Sequence, residues 1–260
     1  MNYIEVSLHK DNKHVAIVTL NRPDMRHAFN TLLAKELLQT FRELQQSNQV
    51  RVVILCSSTE DAFCSGADLK ERKGMTDEDW KKQHKLFEEM FEALSRLKHP
   101  TIAAVKGYAL AGGFELALNC DVIIAGKNAA FGLPEVTRGI MPGCGAAWLL
   151  PKRVPLHIAK EWLFTGRLFS AEEAFQAGLL NRMVEPENVL DEALALANLI
   201  SQNAPLGVQG VKKVADASTL PADLAREYEI QIYNEVIASE DRMEGVLAFN
   251  EKREPNFKGR

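Results

Sequence analysis

Residues 104–115 of the chain, AVKGYALAGGFE, carry the clearest fold signal in the sequence. This pattern predicts the end of a strand, a glycine-rich turn over 107–113 and a short helix over 114–120. Glycines in such a turn allow tight backbone geometry and let a ligand lie close to the main chain. Because the first N–H groups of a helix have no acceptor within it, one near Gly112 can stabilise an oxygen that gains negative charge. Glu115 follows in the first helical turn.

Strand and helix patterns alternate on both sides of this turn, which favours an α/β layer arrangement. Buried strands are predicted at 15–20, 51–57, 101–105 and 121–125. Apolar positions at helical spacing predict two helices before the turn, one over 32–46 with Asn30 as its N-cap and one over 82–97. After about Leu156 the pattern is almost purely helical, and the predicted segments are 171–177, 189–201, 206–217, 224–238 and 242–249.

Composition excludes several classes of protein. The 260 residues are 46% hydrophobic and 25% charged, and the net charge of −4 gives no reason to expect nucleic acid as a partner. The four cysteines are far apart and form no CxxC pair, so we expect inert thiols in a reducing compartment and no metal site. We found neither a signal-peptide pattern nor an apolar run near the ~18 residues of a membrane span. We therefore expect a soluble, cytoplasmic protein with no membrane partner.

A second loop of small residues lies at 63–70, FCSGADLK. Small side chains at 65–67 would let a ligand approach the backbone, which makes the N–H of Ala67 a second candidate donor. The alternative interpretation is an ordinary turn that enters a helix, with Asp68 as the helix cap.

A second carboxylate, Glu135, follows 20 residues after Glu115 in the segment GLPE. Both glutamates have an ordinary interpretation as acids in a first helical turn, where the helix dipole stabilises negative charge. One observation argues against this ordinary interpretation for Glu115. The helix over 114–120 is apolar on most faces, so Glu115 should be buried, and a buried carboxylate needs either partners or a function.

Two glutamates and two glycine-rich loops together match the needs of one reaction, the addition of water to an α,β-unsaturated thioester. The reaction requires a base for the water, an acid for Cα and donors for the enolate oxygen formed between them. Paired carboxylates can serve as both acid and base because like charges push their pKa values apart. One oxyanion donor typically contributes about 3 kcal/mol to lowering the barrier.

The two loops, with Cys120-Asp121 and the segment 134–143, resemble the enoyl-CoA hydratase/isomerase (crotonase) family. Their order and spacing match over essentially the whole chain. Within the family, the resemblance is closest to the group of the AU-binding homologue, a 3-methylglutaconyl-CoA hydratase. The segments 67–72, ADLKER, and 241–249, DRMEGVLAF, carry this narrower resemblance.

The resemblance implies an α/β fold in which a crotonase-type spiral of ββα units over 1–200 holds the active site. It also implies a C-terminal helical oligomerisation region over 201–260 and trimers that pair into hexamers. The N–H groups of Ala67 and Gly112 would form an oxyanion hole. Glu115 would position and activate the water, and Glu135 would deliver the proton to Cα. Because both acids are present, the resemblance favours a hydratase over an isomerase, hydrolase or dehalogenase.

The product would be a 3-hydroxyacyl-CoA, formed in fatty-acid or branched-chain amino-acid breakdown. Coenzyme A enters as part of the substrate, so no other cofactor and no metal is expected. The residues that the resemblance assigns to coenzyme A binding are Met25, Arg26, Ala28, Ser65, Asp68, Leu69, Lys70, Phe249 and Lys252.

Two departures from the family pattern bear on the substrate. Ala111 stands where many members carry a third glycine, a small change that should still permit the turn. Residues 145–150, GAAWLL, replace the more usual glycine-glycine-threonine-glutamine-arginine-leucine pattern. We interpret Trp148 as a core residue, although a role in shaping the acyl pocket is the alternative.

Three other functions stay open from the sequence. The acyl group could be 3-methylglutaconyl specifically, or the enzyme could be a Δ3,Δ2-enoyl-CoA isomerase, which needs a single base. A non-enzyme alternative is RNA binding through one helix. The matching helix over 32–46 carries Lys35 and Arg42 but also Glu36 and Glu43, a mixed face that argues against this alternative.

Overall fold

The computed structural model describes residues 3–260, which contain ten strands and eleven α-helices. The strands are β1 (Ile4–Leu8), β2 (Val15–Leu20), β3 (Val52–Ser57), β4 (Ala62–Cys64), β5 (Thr101–Val105), β6 (Tyr108–Leu110), β7 (Val122–Gly126), β8 (Ala130–Gly132), β9 (Leu168–Ser170) and β10 (Arg182–Val184). The helices are α1 (Thr31–Gln46), α2 (Leu69–Arg72), α3 (Asp77–Ser95), α4 (Gly112–Leu118), α5 (Ala146–Arg153), α6 (Leu156–Thr165), α7 (Ala171–Gln176), α8 (Val189–Ser201), α9 (Pro205–Asp216), α10 (Ala222–Ile237) and α11 (Glu240–Glu251). Short 3-10 helices occupy Pro23–Met25, Pro134–Arg138 and Pro186–Asn188.

The larger sheet has six strands in the order β1-β2-β3-β5-β7-β10. Only β1 is antiparallel to its neighbour, and the other pairs are parallel. All five residues of β5 and all but the last of β3 are buried, because both faces of the sheet are covered. This burial explains why these strands appear in the sequence as continuous apolar runs. On one face, the buried side chains of α8 pack against those of β3 and β5.

The smaller sheet has four short strands in the order β4-β6-β8-β9. Its members alternate along the chain with those of the larger sheet, since β3 leads to β4, β5 to β6 and β7 to β8. A helix follows each of these pairs: α2 and α3 after β4, α4 after β6 and the 3-10 helix Pro134–Arg138 after β8. This repetition is a spiral of ββα units, as the family resemblance implied. Each turn of the spiral delivers one loop to the same end of the molecule.

The long elements lie where the sequence predicts them. Asn30 caps α1, since its Oδ1 accepts a hydrogen bond from Leu33 N–H at 2.9 Å. The five helices predicted after Leu156 correspond to α7, α8, α9, α10 and α11. The prediction of an almost purely helical second half was incomplete, because β9 and β10 interrupt it and complete the two sheets. None of the helices within residues 3–260 is long and apolar enough to cross a membrane.

Candidate active site

The two glycine-rich loops pack directly against each other. A Cβ atom on Gly113 would lie 2.0 Å from the Cys64 carbonyl oxygen, so only glycine lets α4 approach β4 this closely. On the other loop, Gly66 has φ +90°, and a Cβ there would lie 2.8 Å from the Cβ of Ala111. The glycines therefore hold the start of α4 beside the loop that follows β4.

Two backbone N–H groups at this junction have no acceptor within residues 3–260. Phe29 N–H donates to Gly66 O at 2.9 Å, and Asp68 N–H donates to Phe29 O at 3.0 Å, which leaves the N–H of Ala67 unused. Gly112 is the first residue of α4, so its N–H has no partner inside the helix. Both residues line one cavity of about 820 Å³, which is large enough for an acyl group and part of its carrier.

Glu115 lies at this cavity and is only 2% exposed. Its Oε1 accepts hydrogen bonds from Cys144 N–H at 2.8 Å and from Ala146 N–H at 3.1 Å. Burial raises the pKa of Glu115, and these two hydrogen bonds oppose the effect. Glu115 lies in the first turn of α4, as the sequence predicts, but its side chain forms no capping hydrogen bond. The two donors instead fix the orientation of the carboxylate in the cavity.

Glu135 lines the same cavity from the 3-10 helix that follows β8, and it is 8% exposed. Its Oε2 has no hydrogen-bond partner within residues 3–260. The pKa of Glu135 is raised to about 7, first by burial and also by the charge of Glu115, while Arg138 opposes the rise. A buried, unpaired carboxyl group close to a second acid is the environment in which a general acid keeps its proton at neutral pH.

The geometry thus brings Glu115, Glu135 and the N–H groups of Ala67 and Gly112 to one cavity. Residues 10–260 match the family described as Enoyl-CoA hydratase/isomerase. The chain belongs to this family. The match confirms the resemblance identified in the sequence, together with the crotonase fold and the enzyme class. The narrower assignment to the 3-methylglutaconyl-CoA group stays a prediction.

Several relatives of this enzyme cover almost its full length. The short-chain-enoyl-CoA hydratase of Clostridium acetobutylicum is 38% identical, and the alignment covers 100% of both chains. The 2,3-dehydroadipyl-CoA hydratase of Escherichia coli is 39% identical over 95% of this chain and 96% of its own. The crystal structure of an enoyl-CoA hydratase from Bacillus anthracis superposes with a TM-score of 0.96 at 36% identity, covering 100% of both chains.

The residues assigned to coenzyme A binding in this enzyme cluster partly at one edge of the cavity. Ser65 N–H donates to Arg26 O at 3.0 Å, and its hydroxyl donates to Met25 O at 3.3 Å. Lys70 Nζ lies 3.8 Å from Met25 Sδ. Ser65 and Leu69 also line the cavity. The contacts of Ser65 thus connect the cavity lining to the loop that carries Met25 and Arg26.

Other predicted binding residues have structural partners or lie elsewhere. The Asp68 carboxylate pairs with Arg22 at 2.7 Å and accepts hydrogen bonds from Lys70 and Glu71 N–H, so it caps α2. The carbonyl of buried Ala28 accepts a hydrogen bond from Arg22 Nη1 at 2.7 Å. At the end of α11, Phe249 is 84% exposed, and neither it nor Lys252 lines the cavity of its own chain. For all nine residues assigned to coenzyme A, the binding role stays a prediction.

Trp148 lines the cavity and is 58% exposed, so its interpretation as a core residue was wrong. The reason is helical geometry. Ala146 and Leu150, two positions before and after it, are the buried residues of α5, and positions two apart point to nearly opposite sides of a helix. The cavity lining also includes Arg72, Trp80 and His84, which the sequence does not identify as site residues. They come from α2 and α3, where no motif marks them.

Proposed function

We propose that this enzyme is an enoyl-CoA hydratase that adds water across the 2,3 double bond of an enoyl-CoA thioester and releases the 3-hydroxyacyl-CoA. One observation carries the proposal. Two buried carboxylates and two backbone N–H groups without acceptors share a single cavity. Hydration of an unsaturated thioester needs an acid, a base and an oxyanion site, and this cavity offers a candidate for each of them.

The thioester carbonyl oxygen would accept hydrogen bonds from the N–H groups of Ala67 and Gly112. When water attacks C3, the electrons of the double bond move toward this oxygen and an enolate forms. Both donors are fixed in the backbone, so they need no reorganisation as the charge develops. Donors of this kind are worth about 3 kcal/mol each in lowering a reaction barrier.

Glu115 would hold and activate the water. Its Oε1 is occupied by two backbone N–H groups, which leaves Oε2 to accept a hydrogen bond from the water. As the water oxygen bonds to C3, one of its protons passes to this carboxylate. The fixed orientation keeps the water on one face of the double bond, which is the positioning contribution expected of a rigid site.

Glu135 would supply the proton that C2 takes from the enzyme when the enolate collapses. A pKa near 7, caused first by burial, keeps a substantial fraction of this carboxyl group protonated at neutral pH. Exchange with solvent then returns the proton to Glu135 and removes the one on Glu115. The overall reaction consumes one water molecule, and the only cofactor chemistry is that of the coenzyme A carried by the substrate.

The acyl group is proposed to be short. One full-length relative is named for short-chain substrates and another for 2,3-dehydroadipyl-CoA, which carries a second carboxylate. Trp148 lines the cavity where the family usually has glutamine, and the larger side chain supports a compact acyl group. We further propose that the enzyme acts in fatty-acid or branched-chain amino-acid breakdown and works as a homo-oligomer.

The test is the loss of enoyl-thioester absorbance when crotonyl-CoA is mixed with the enzyme. Glu115→Gln and Glu135→Gln should each lower kcat by 10²-fold or more, since general acid–base catalysis contributes about 10²–10⁴-fold. Glu43→Gln, which changes an exposed glutamate on α1, is the matched control and should retain wild-type activity. Rates within a few-fold of wild type for both site variants would rule out the mechanism.

A further inference from the structure

Arg72 is a charged side chain in the catalytic cavity that the proposed mechanism does not use. It is the last residue of α2, and its side chain lines the cavity together with residues of α3. Its Nε donates to Gln83 Oε1 at 2.8 Å. Within residues 3–260 it forms no ion pair, and its two terminal nitrogens donate no hydrogen bond. Arg72 is half-buried, and its two terminal nitrogens are available to a ligand in the cavity.

The guanidinium group is held rigidly in place. Gln83, which binds its Nε, is 5% exposed and donates in turn to Glu71 Oε2 at 2.7 Å and to Thr31 Oγ1 at 2.9 Å. The guanidinium carbon lies 4.1 Å from the centre of the Trp80 ring. With one edge bonded to Gln83 and one face on an aromatic ring, the group keeps its terminal N–H donors free. A preorganised arginine of this kind favours bidentate binding of a planar anion.

The other cationic side chains that line the cavity, Arg138 and His84, have polar partners of their own. Arg138 is exposed, and its Nη1 donates to Pro134 O and to Thr137 Oγ1, each at 3.2 Å. The Nε2 of His84 lies 3.3 Å from a carboxylate oxygen of Glu88. Glu71 lies near Arg72, but its Oε2 is taken by Gln83 and by the N–H of Thr31. Among the cationic side chains that line the cavity, Arg72 is thus the half-buried one whose two terminal nitrogens both lack an acceptor within residues 3–260.

The position of Arg72 distinguishes it from the coenzyme A residues. Lys70 and Arg72 are two positions apart on α2, which places them on nearly opposite sides of the helix. Lys70 contacts Met25 at the predicted coenzyme A edge, whereas Arg72 contacts α3. An anion at Arg72 therefore belongs to the acyl end of the substrate and not to the phosphates of the carrier.

We propose that Arg72 determines substrate specificity by binding a carboxylate at the far end of the acyl chain. This inference rests on the proposed function, since it names the class of enoyl-CoA that the cavity takes. The cavity already holds the Glu115 carboxylate, which repels a substrate carboxylate when it is ionised. The guanidinium group of Arg72 would offset that repulsion by donating hydrogen bonds to the substrate carboxylate. A substrate with this carboxylate would then bind more tightly than one without it.

The test compares acyl-CoA pairs that differ only by a terminal carboxylate, glutaryl-CoA against butyryl-CoA and adipyl-CoA against pentanoyl-CoA. These saturated compounds are not turned over, so calorimetry gives their Kd values directly. The wild-type enzyme should bind at least one dicarboxylic member about tenfold or more tightly than its neutral counterpart. In Arg72→Met this preference should disappear, and in Arg72→Lys part of it should remain. Arg42→Met, at an exposed arginine on α1, is the control and should keep the full preference.

Turnover provides a second measurement. Two substrate pairs are compared by kcat/KM: glutaconyl-CoA with crotonyl-CoA, and hex-2-enedioyl-CoA with pent-2-enoyl-CoA. For the preferred chain length, the ratio of kcat/KM for the dicarboxylic member to that for the neutral member should fall at least tenfold in Arg72→Met. Equal losses for both members of each pair would show that Arg72 only supports Trp80 and the fold, and would overturn the inference. So would a wild-type enzyme with no preference, or an Arg72→Met variant that keeps it. If the binding preference holds but none of the enoyl compounds is hydrated, the proposed function fails while the role of Arg72 stands.

Discussion

Replacing Glu135 with glutamine should make the folded protein more stable at pH 8 while it removes activity. Burial raises the pKa of Glu135 from its ordinary value of 4.5 to about 7. Below pH 4.5 the group is protonated in both the folded and the unfolded state. Between 4.5 and 7 the unfolded chain releases the proton while the folded protein retains it, so the free energy of unfolding falls as the pH rises.

A pKa difference of this size corresponds to about 3 kcal/mol, most of it lost between pH 5 and pH 8. Glutamine cannot ionise, so the Glu135→Gln variant avoids this loss. The free energy of unfolding of the variant, minus that of the wild type, should therefore increase by roughly 2–3 kcal/mol from pH 5 to pH 8.

Urea denaturation at several pH values, at one fixed protein concentration, measures this difference. Glu43→Gln changes an exposed glutamate and should give a difference that does not depend on pH. A constant difference for Glu135→Gln over the same range would mean that Glu135 titrates normally. Its assignment as the acid of the site would then lose its physical basis.

Two further predictions concern the turn before α4. Gly113→Ala should destabilise the fold by about 3 kcal/mol or more, because the new Cβ would lie 2.0 Å from the Cys64 carbonyl oxygen and cannot be accommodated without moving α4 from β4. In the matched control, Gly207→Ala in α9, the new Cβ meets only the Ala204 Cβ at 3.8 Å, so this change should stabilise the protein by up to about 1 kcal/mol, as thermal denaturation would show. Ala111→Gly should stabilise the fold by about 1 kcal/mol, because Ala111 has φ +50°, a conformation that glycine adopts without strain. A lower melting temperature for this variant would show that the conformation of Ala111 is not strained.

The sequence predicts the long elements of this fold well, and their burial explains why. β5 and α8 lie at the predicted residues because each buries a continuous or periodic apolar pattern. The smaller sheet is not predicted as a sheet. Its strands are three residues long, and three residues contain too few alternations to distinguish a strand from a turn. Such strands form because the larger sheet and the helices place them side by side.

The candidate site shows the same division between local and long-range information. Glu115 and Glu135 are identifiable from the sequence as a pair, because the two acids occur together with two glycine-rich loops. The donors that orient Glu115 are the N–H groups of Cys144 and Ala146, 29 and 31 residues later, and backbone groups leave no trace in side-chain patterns. Trp148 was misassigned for a related reason. An aromatic residue in an apolar segment usually predicts core, and only the position of the cavity shows which side of α5 faces it.

Several features that are unfavourable for folding meet at one cavity. Glu115 and Glu135 are buried acids with raised pKa values, and Ala111 holds a backbone conformation that favours glycine. Arg72 adds a guanidinium group without a carboxylate partner among residues 3–260. Backbone strain and uncompensated charge occur together at this site. The chemistry performed there is the best explanation for both.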